Sequence, residues 1–155
     1  MDAVKPSKIL ALILVIVQVG TVAAFGLSLY TVSTVLANTL SGGGMSFEIT
    51  QDPATGGGVM QVELRPSNPS YLDADLSLEV NLLDSGGDSI AGDSATAHLA
   101  AGASETLSLE LQVSPSDMER IAQGGMEPSL EITVGLRTLY DLVGVTNTIR
   151  MQGGS

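Results

Sequence analysis

Three aspartates in one glycine-rich stretch are the residues of this chain that come closest to a ligand site. Asp84, Asp88 and Asp93 lie within ten residues of one another, in the run DSGGDSIAGD. Carboxylates and main-chain carbonyls in such a loop can hold Ca²⁺, although the spacing is not that of an EF-hand. A solvated hairpin turn explains the same residues without a ligand. The sequence leaves calcium as one alternative here and predicts no other metal and no cofactor.

Other reactive residue types are too few or too scattered for catalysis. His98 is the single histidine and the chain has no cysteine, so a His-rich metal site and a thiol nucleophile are both excluded. No G-x-S-x-G elbow positions a serine for attack. The glycine runs are not followed by the Gly-Lys-Ser/Thr of a phosphate-binding loop. We therefore predict that the protein is not an enzyme and that His98 is an ordinary strand residue.

Charge is distributed unevenly along the chain, whose net charge is −11. From Met45 onward there are sixteen Asp or Glu, four Arg and no Lys, which leaves this part near −12. A surface of that sign repels nucleic acid and anionic lipid, so nucleic acid is not expected as a partner. Lysine depletion, few aromatic residues and many small residues are typical of a halophile. Ordinary acidic secreted proteins share these features.

An uncharged stretch of 32 residues, from Ile9 to Leu40, precedes the acidic part. About 20 helical residues span the apolar core of a bilayer, and the segment from Ile9 to Tyr30 meets that length. We predict that this segment lies in membrane lipid as a single-pass helix. A cleaved signal peptide is the competing interpretation, but its apolar core is only about 7–15 residues long.

Basic residues flank this stretch on one side. Lys5 and Lys8 precede it, and the next basic residue is Arg65. The positive-inside bias therefore predicts a cytoplasmic N-terminus and an extracytoplasmic C-terminal domain at the cell membrane.

The helix is predicted to continue beyond the bilayer. Val32, Val35, Leu36 and Leu40 repeat at helical spacing, and Ser41 and three glycines then interrupt the pattern. We predict a cytoplasmic segment at 1–8, a transmembrane helix with a helical extension at 9–40, a glycine hinge at 41–44 and an outer domain at 45–155. The extension is either a stub of a tilted helix or a surface that packs against sister helices.

Alternation of apolar and polar residues dominates the outer domain. Leu72 to Leu82 places every second residue on an apolar face, which is typical of a strand with one buried side. Shorter runs repeat this pattern between Gly-, Pro- and Asn-containing turns, and one short helix is predicted between Ser114 and Gly124. The fold class is therefore mainly β, with a transmembrane helix ahead of an immunoglobulin-like antiparallel β-sandwich.

Two short motifs carry a resemblance to a known family. Asn68-Pro69 precedes the long alternating strand, with Ser70 where a second Asn is usual, and an Ala-Gly-Ala-Ser run begins at Ala101. This arrangement resembles the late-embryogenesis-abundant group-two, or WHy (water stress and hypersensitive response), domain over residues 57–151. The resemblance implies a non-enzymatic sandwich that is often membrane-tethered, and with the composition it leads us to expect an archaeal protein. Asn-Pro itself predicts a firm bend between strands.

Function is predicted from the anchor, the β domain and the missing chemistry together. We expect a structural or interaction protein whose sandwich contacts a surface-layer protein, a membrane complex or like chains, so that the partner is another protein or a homo-oligomer. The alternative is a subunit or accessory component of an archaeal pilus or archaellum-type filament. Lys8 is followed by Ile9, not by the small residue that pilin peptidases prefer.

Overall fold

The computed structural model describes residues 6–41, 45–139 and 141–152. Its elements in chain order are the helix α1 (Pro6–Ser41), the strands β1 (Met45–Gln51), β2 (Gly58–Leu64), β3 (Ala74–Leu83), β4 (Ser89–Leu99) and β5 (Leu107–Val113), the helix α2 (Pro115–Ala122), and the strands β6 (Ser129–Thr138) and β7 (Val143–Gln152). Lys5 of the predicted cytoplasmic segment and glycines 42–44 of the predicted hinge lie outside the described residues. The hinge therefore stays a prediction.

The seven strands form two antiparallel sheets. One sheet has the order β1-β2-β5 and the other has the order β4-β3-β6-β7. The chain changes sheet after β2, after β4 and again after β5, where α2 makes the connection. The predicted β-sandwich with one short helix is confirmed.

Strand alternation builds the core between the sheets. On β3, Leu76, Leu78 and Val80 are fully buried while the residues between them are exposed. β5 repeats the pattern with Leu107, Leu109, Leu111 and Val113 inside. Each fully buried aliphatic side chain contributes roughly 2 kcal/mol of hydrophobic stabilisation, so this period-two pattern fixes which face of each sheet turns inward.

Helix α2 begins and ends at the residues that local chemistry favours. The Ser114 hydroxyl accepts a hydrogen bond from the Asp117 amide, and Pro115 occupies the first turn, where no amide partner is needed. Gly124 follows the last turn in a left-handed conformation, with φ of 68°. The side chain of Met118 lies over Gly58, so that α2 closes one end of the β1-β2-β5 sheet.

Helix α1 has two different environments along its length. From Ile13 to Leu27 its large apolar side chains are exposed on every side of the helix. Ser28, Thr31, Val32, Val35 and Thr39 are instead almost completely buried. These five positions repeat every three or four residues, and therefore form one face of the helix. The predicted extension is thus a helix whose inner face packs against the β domain.

Candidate functional site

The packing of α1 follows from the unequal width of the two sheets. β4 contacts β5 on one side of the sandwich, so β1 and β7 are the edge strands on the other side. Because the sheet containing β1 has three strands and its partner has four, the inner face near β7 is left uncovered. α1 contacts β6 and β7, and its Val32 and Val35 belong to the same apolar cluster as the inward residues of both sheets. The last turns of α1 are therefore part of the domain core.

The two edge strands leave apolar side chains exposed on their inner faces. The register places Phe47 and Ile49 on the inner face of β1, opposite Val62 and Met60 of β2. These exposed inner-face residues, which we call the seam, are Phe47, Ile49, Val145, Ile149 and Met151. Each seam side chain is 40–70% exposed, whereas the corresponding residues of the neighbouring strands are mostly buried. Both seam strands also have a free hydrogen-bonding edge, because each is the last strand of its sheet.

A buried polar network lies at one end of the sandwich, and the side chain of Asn68 is at its centre. Its side chain has no exposure to solvent. The amide nitrogen donates to the carbonyls of Leu72 and Leu99 at 2.8 and 2.9 Å and to that of Ala100 at 3.3 Å. The amide oxygen accepts from the Ser70 hydroxyl at 2.6 Å and from the Ser70 amide. The predicted local bend at Asn68 is confirmed, and the amide also joins this loop to the end of β4.

His98 lies on the outer face of β4, exposed, beside two carboxylates of the Asn68 end. Its Nδ1 is 2.7 Å from Asp75 Oδ1, and its Nε2 is 3.9 Å from Asp73 Oδ2. The hydrogen bond that the imidazole donates to Asp75 and the charges of both aspartates raise the pKa of His98 above its ordinary value of 6.5. The two aspartates therefore favour the protonated form of the imidazole on this negatively charged surface.

We expect the contribution of His98 to stability to depend on pH in a defined direction. Because its folded-state pKa is raised, the contribution is fully present below about pH 6.5 and is lost as the pH rises through the folded pKa. NMR titration of this single histidine should show a midpoint above 6.5 that falls in Asp75→Asn. The matched Glu79→Gln, on the same exposed face of β3, should leave the midpoint unchanged. A midpoint insensitive to Asp75→Asn would contradict the pairing.

The three aspartates of the predicted calcium loop are used differently in the structure. Asp84 Oδ1 accepts hydrogen bonds from the amides of Gly86 and Asp88, which closes the β3–β4 turn and lowers the pKa of Asp84. Asp93 lies farther along β4, where its Oδ2 accepts from the Glu110 amide at 2.9 Å. Within the described ranges, no three Asp, Glu or His side chains come close enough to hold a metal ion together. Calcium binding stays a prediction, for which titration calorimetry is the direct test.

The sequence contains signals for some of these features and not for others. The Asn-Pro pair predicted a bend at the position where the buried network lies. The residues between 99 and 103 that hydrogen-bond to Asn68 are distant in the sequence and could not be assigned from spacing. Phe47 and Ile49 alternate with polar residues as the residues of core strands do, so periodicity alone does not distinguish them from core residues. Their exposure depends on strand order, because only an edge strand without a facing partner leaves its inner face open.

Comparison with known proteins gives a likeness of fold and no relative. No family model and no curated protein matches the chain. Among solved structures, it is similar to a family 2 glycosyl hydrolase from Bacteroides cellulosilyticus, with 14% identity over 70% of this chain and 14% of that chain, at a TM-score of 0.42. A β-glucuronidase from Bacteroides uniformis gives 13% identity over 70% and 13%, at 0.47. A protein from Archaeoglobus fulgidus gives 9% identity over 70% and 90%, at 0.45.

This chain therefore spans about one seventh of the glycoside hydrolases that it resembles. The likeness is a distant structural match to β-sandwich domains, and it assigns the chain to no family.

Proposed function

We propose that this protein is a non-catalytic, membrane-anchored interaction protein whose β-sandwich is held rigidly at the membrane surface to contact another protein chain. The observation that carries the proposal is the continuity of α1. One unbroken helix, Pro6–Ser41, passes from an uncharged, mostly apolar and exposed segment into the packed core of the sandwich. Such a joint fixes the position of the domain relative to the membrane, which suits a structural contact.

The lengths of the two parts of α1 place the domain close to the lipid. Over Ile13–Thr39 the helix is long and apolar enough to cross a membrane, a test that a signal sequence also passes. The 22 residues from Ile9 to Tyr30 extend about 33 Å, which is enough to cross a bilayer core of about 30 Å. Burial against the domain begins at Ser28, at the end of this span. No spacer separates the bilayer-spanning part of α1 from the part that packs on the sandwich. We therefore expect the partner surface to lie within the reach of other membrane-bound proteins.

The proposed orientation puts the N-terminus in the cytoplasm and the sandwich outside, on the basis of Lys5 and Lys8. The proposed resemblance to WHy domains is supported by two main-chain hydrogen bonds that the sequence did not reveal. The main-chain N–H of Asn68 donates to the Ala103 carbonyl, and the main-chain N–H of Gly102 donates to the main-chain carbonyl of Asn68, each at 2.8 Å. The two motifs of the resemblance are therefore joined directly. A halophilic archaeal source remains part of this proposal.

We expect single cysteines, introduced into this cysteine-free chain, to define the membrane boundary. In intact cells, a membrane-impermeant maleimide should leave Val17→Cys unlabelled and should label Ala37→Cys, because both side chains are exposed on α1 but only the second lies beyond the bilayer. Both should react after solubilisation in denaturing detergent. Labelling at residue 17, or a mature protein whose mass lacks the first part of α1, would contradict the anchor.

The partner is identified by extraction in mild detergent after cross-linking in the membrane, followed by mass spectrometry. The proposal predicts a reproducible cross-link between residues of the sandwich and another protein chain, of the same or a different kind. A protein that is extracted only as an unlinked monomer at native expression would overturn it.

A filament subunit or accessory component is the second candidate, and the division of α1 favours it specifically. The first half of α1 is exposed on all sides, so it can bundle with sister helices. The second half packs on a sheet, so the β domain can face outward from such a bundle. Gly20 and Ala24 would allow close helix approach. Electron microscopy of sheared cell-surface material tests the filament-subunit form of this candidate, and an absence of the protein from every filament would remove that form.

A further inference from the structure

The sequence around the packed end of α1 contains a feature that a membrane anchor does not need, the three-part arrangement of a secretory signal. Lys5 and Lys8 precede the apolar run, and Val35 and Ala37 lie near its end with one residue between them. Residues without long side chains at this A-x-A-like spacing mark the bond that signal peptidase cuts. In this chain that bond joins Ala37 to Asn38.

The position of this bond relative to the bilayer also suits signal peptidase. Ala37 lies seven residues beyond Tyr30, a distance that a helix covers in about 10 Å. Tyr30 ends the segment that spans the apolar core, so Ala37 lies at or just beyond the headgroup layer. Signal peptidase acts at this outer surface of the membrane. Sequence and distance together therefore meet the requirements of a cleavage site.

The folded structure withholds this bond from a peptidase. Ala37 and Asn38 lie within the unbroken helix Pro6–Ser41. Val35 and Thr39, on either side of the bond, are almost completely buried, and Val35 belongs to the apolar cluster of the sandwich. Peptidases bind their substrates as extended segments and cut most readily in exposed loops. The helix would therefore have to leave the core and unwind before the bond could be cut.

We propose that the bond between Ala37 and Asn38 is a signal-peptidase site that the packing of α1 on the sandwich conceals, so that a folded chain keeps its anchor. The proposal rests on the proposed function, since it takes the sandwich to lie outside the membrane. Cleavage is a hydrolysis, in which water gives a hydroxyl group to the carbonyl carbon of Ala37 and a hydrogen to the nitrogen of Asn38 as the bond between them breaks. A chain whose sandwich fails to fold would thus be released from its anchor.

The test uses the full-length protein in lipid vesicles that contain purified signal peptidase, with mass spectrometry of the products. Val32→Asp should be cut after Ala37 at least tenfold faster than the wild type, because Val32 is buried in the apolar cluster and a carboxylate there releases the helix. The matched control is Ser33→Asp, which interrupts the apolar run one residue later but lies on the exposed side of α1. The control and the wild type should stay intact. Ala37→Phe added to Val32→Asp should block the cut, because the residue before it must be small.

The possible results separate this proposal from the proposed function. Equal cleavage of Ser33→Asp and Val32→Asp would overturn the proposal, because charge and not packing would then control the site. An uncut Val32→Asp would also overturn it, while leaving the proposed anchor intact. If the Val32→Asp sandwich does not fold at all, Val32→Ala, which weakens the same contact without adding charge, should still be cut faster than Ser33→Ala. Loss of α1 from the wild type would contradict both the concealed site and the anchor.

Discussion

Val35→Asp is expected to detach α1 from the sandwich and to lower the free energy of unfolding by at least about 3 kcal/mol. Val35 has no exposure and belongs to the apolar cluster that spans both sheets. A carboxylate at this position either stays ionised without water or takes up a proton at a cost, and both outcomes favour release of the helix. Thermal unfolding of the full-length protein in detergent, followed by the β-sheet circular dichroism signal, should show a midpoint lower by roughly 10 °C.

The matched control for this substitution is Ala37→Asp. Ala37 lies two residues further along the same helix on its exposed side, so the same charge there meets water. We expect a change within about 0.5 kcal/mol for the control. Hydrogen exchange of the amides from Ser28 to Thr39 separates the two cases further, because only Val35→Asp should lose protection there. Equal destabilisation by the two substitutions would show that α1 does not pack as described.

Asn68→Ala has the second largest expected effect, a loss of about 3 kcal/mol in the free energy of unfolding. The substitution leaves the buried carbonyls of Leu72 and Leu99 without the amide that now donates to them. It also removes the nearer of the two acceptors of the Ser70 hydroxyl, which keeps only the Leu72 carbonyl at 3.2 Å. A neutral hydrogen bond contributes about 1 kcal/mol, and a buried group left unpaired costs about 1–3 kcal/mol. Urea denaturation should show a lower midpoint with an unchanged slope.

Two further substitutions define what Asn68 does. Asn147→Ala, at an exposed asparagine of β7, should change stability by no more than about 0.5 kcal/mol. Asn68→Asp has the same shape but turns an acceptor toward the carbonyls, and burial raises the pKa of such a carboxyl. Its destabilisation should therefore be greatest at neutral pH and should decrease as the pH falls through the folded pKa. A pH-independent effect would argue against burial of this side chain.

Strand identity could be predicted from the sequence because alternation is a local property. The runs around Leu78, Leu109 and Val134 each match an observed strand, and the alternating residues fall on the buried face. The helix after Ser114 was likewise predictable, since its cap and its first-turn proline are adjacent in the chain. Local side-chain periods and turn residues contain enough information for these elements.

The partners of these elements were beyond sequence reasoning. The stripe containing Val32 and Val35 was visible as a helical pattern, but lipid, a sister helix and the β domain would all select the same apolar residues. Only the strand order decided among them, because a three-stranded sheet facing a four-stranded one leaves an inner face that α1 covers. The same geometry left Phe47 and Ile49 exposed, although they alternate as core residues do.

The sequence by itself determined the apolar helix, the acidic β-sandwich and the position of the bend at Asn68, because periodicity, charge and turn chemistry act over a few residues. The tertiary structure alone decided that the end of α1 lies inside the domain core, that Asn68 joins residues 99–103, and that one uncharged seam remains open. These depend on contacts between residues far apart in the chain, such as those between α1 and β6, for which the sequence contains no local signal.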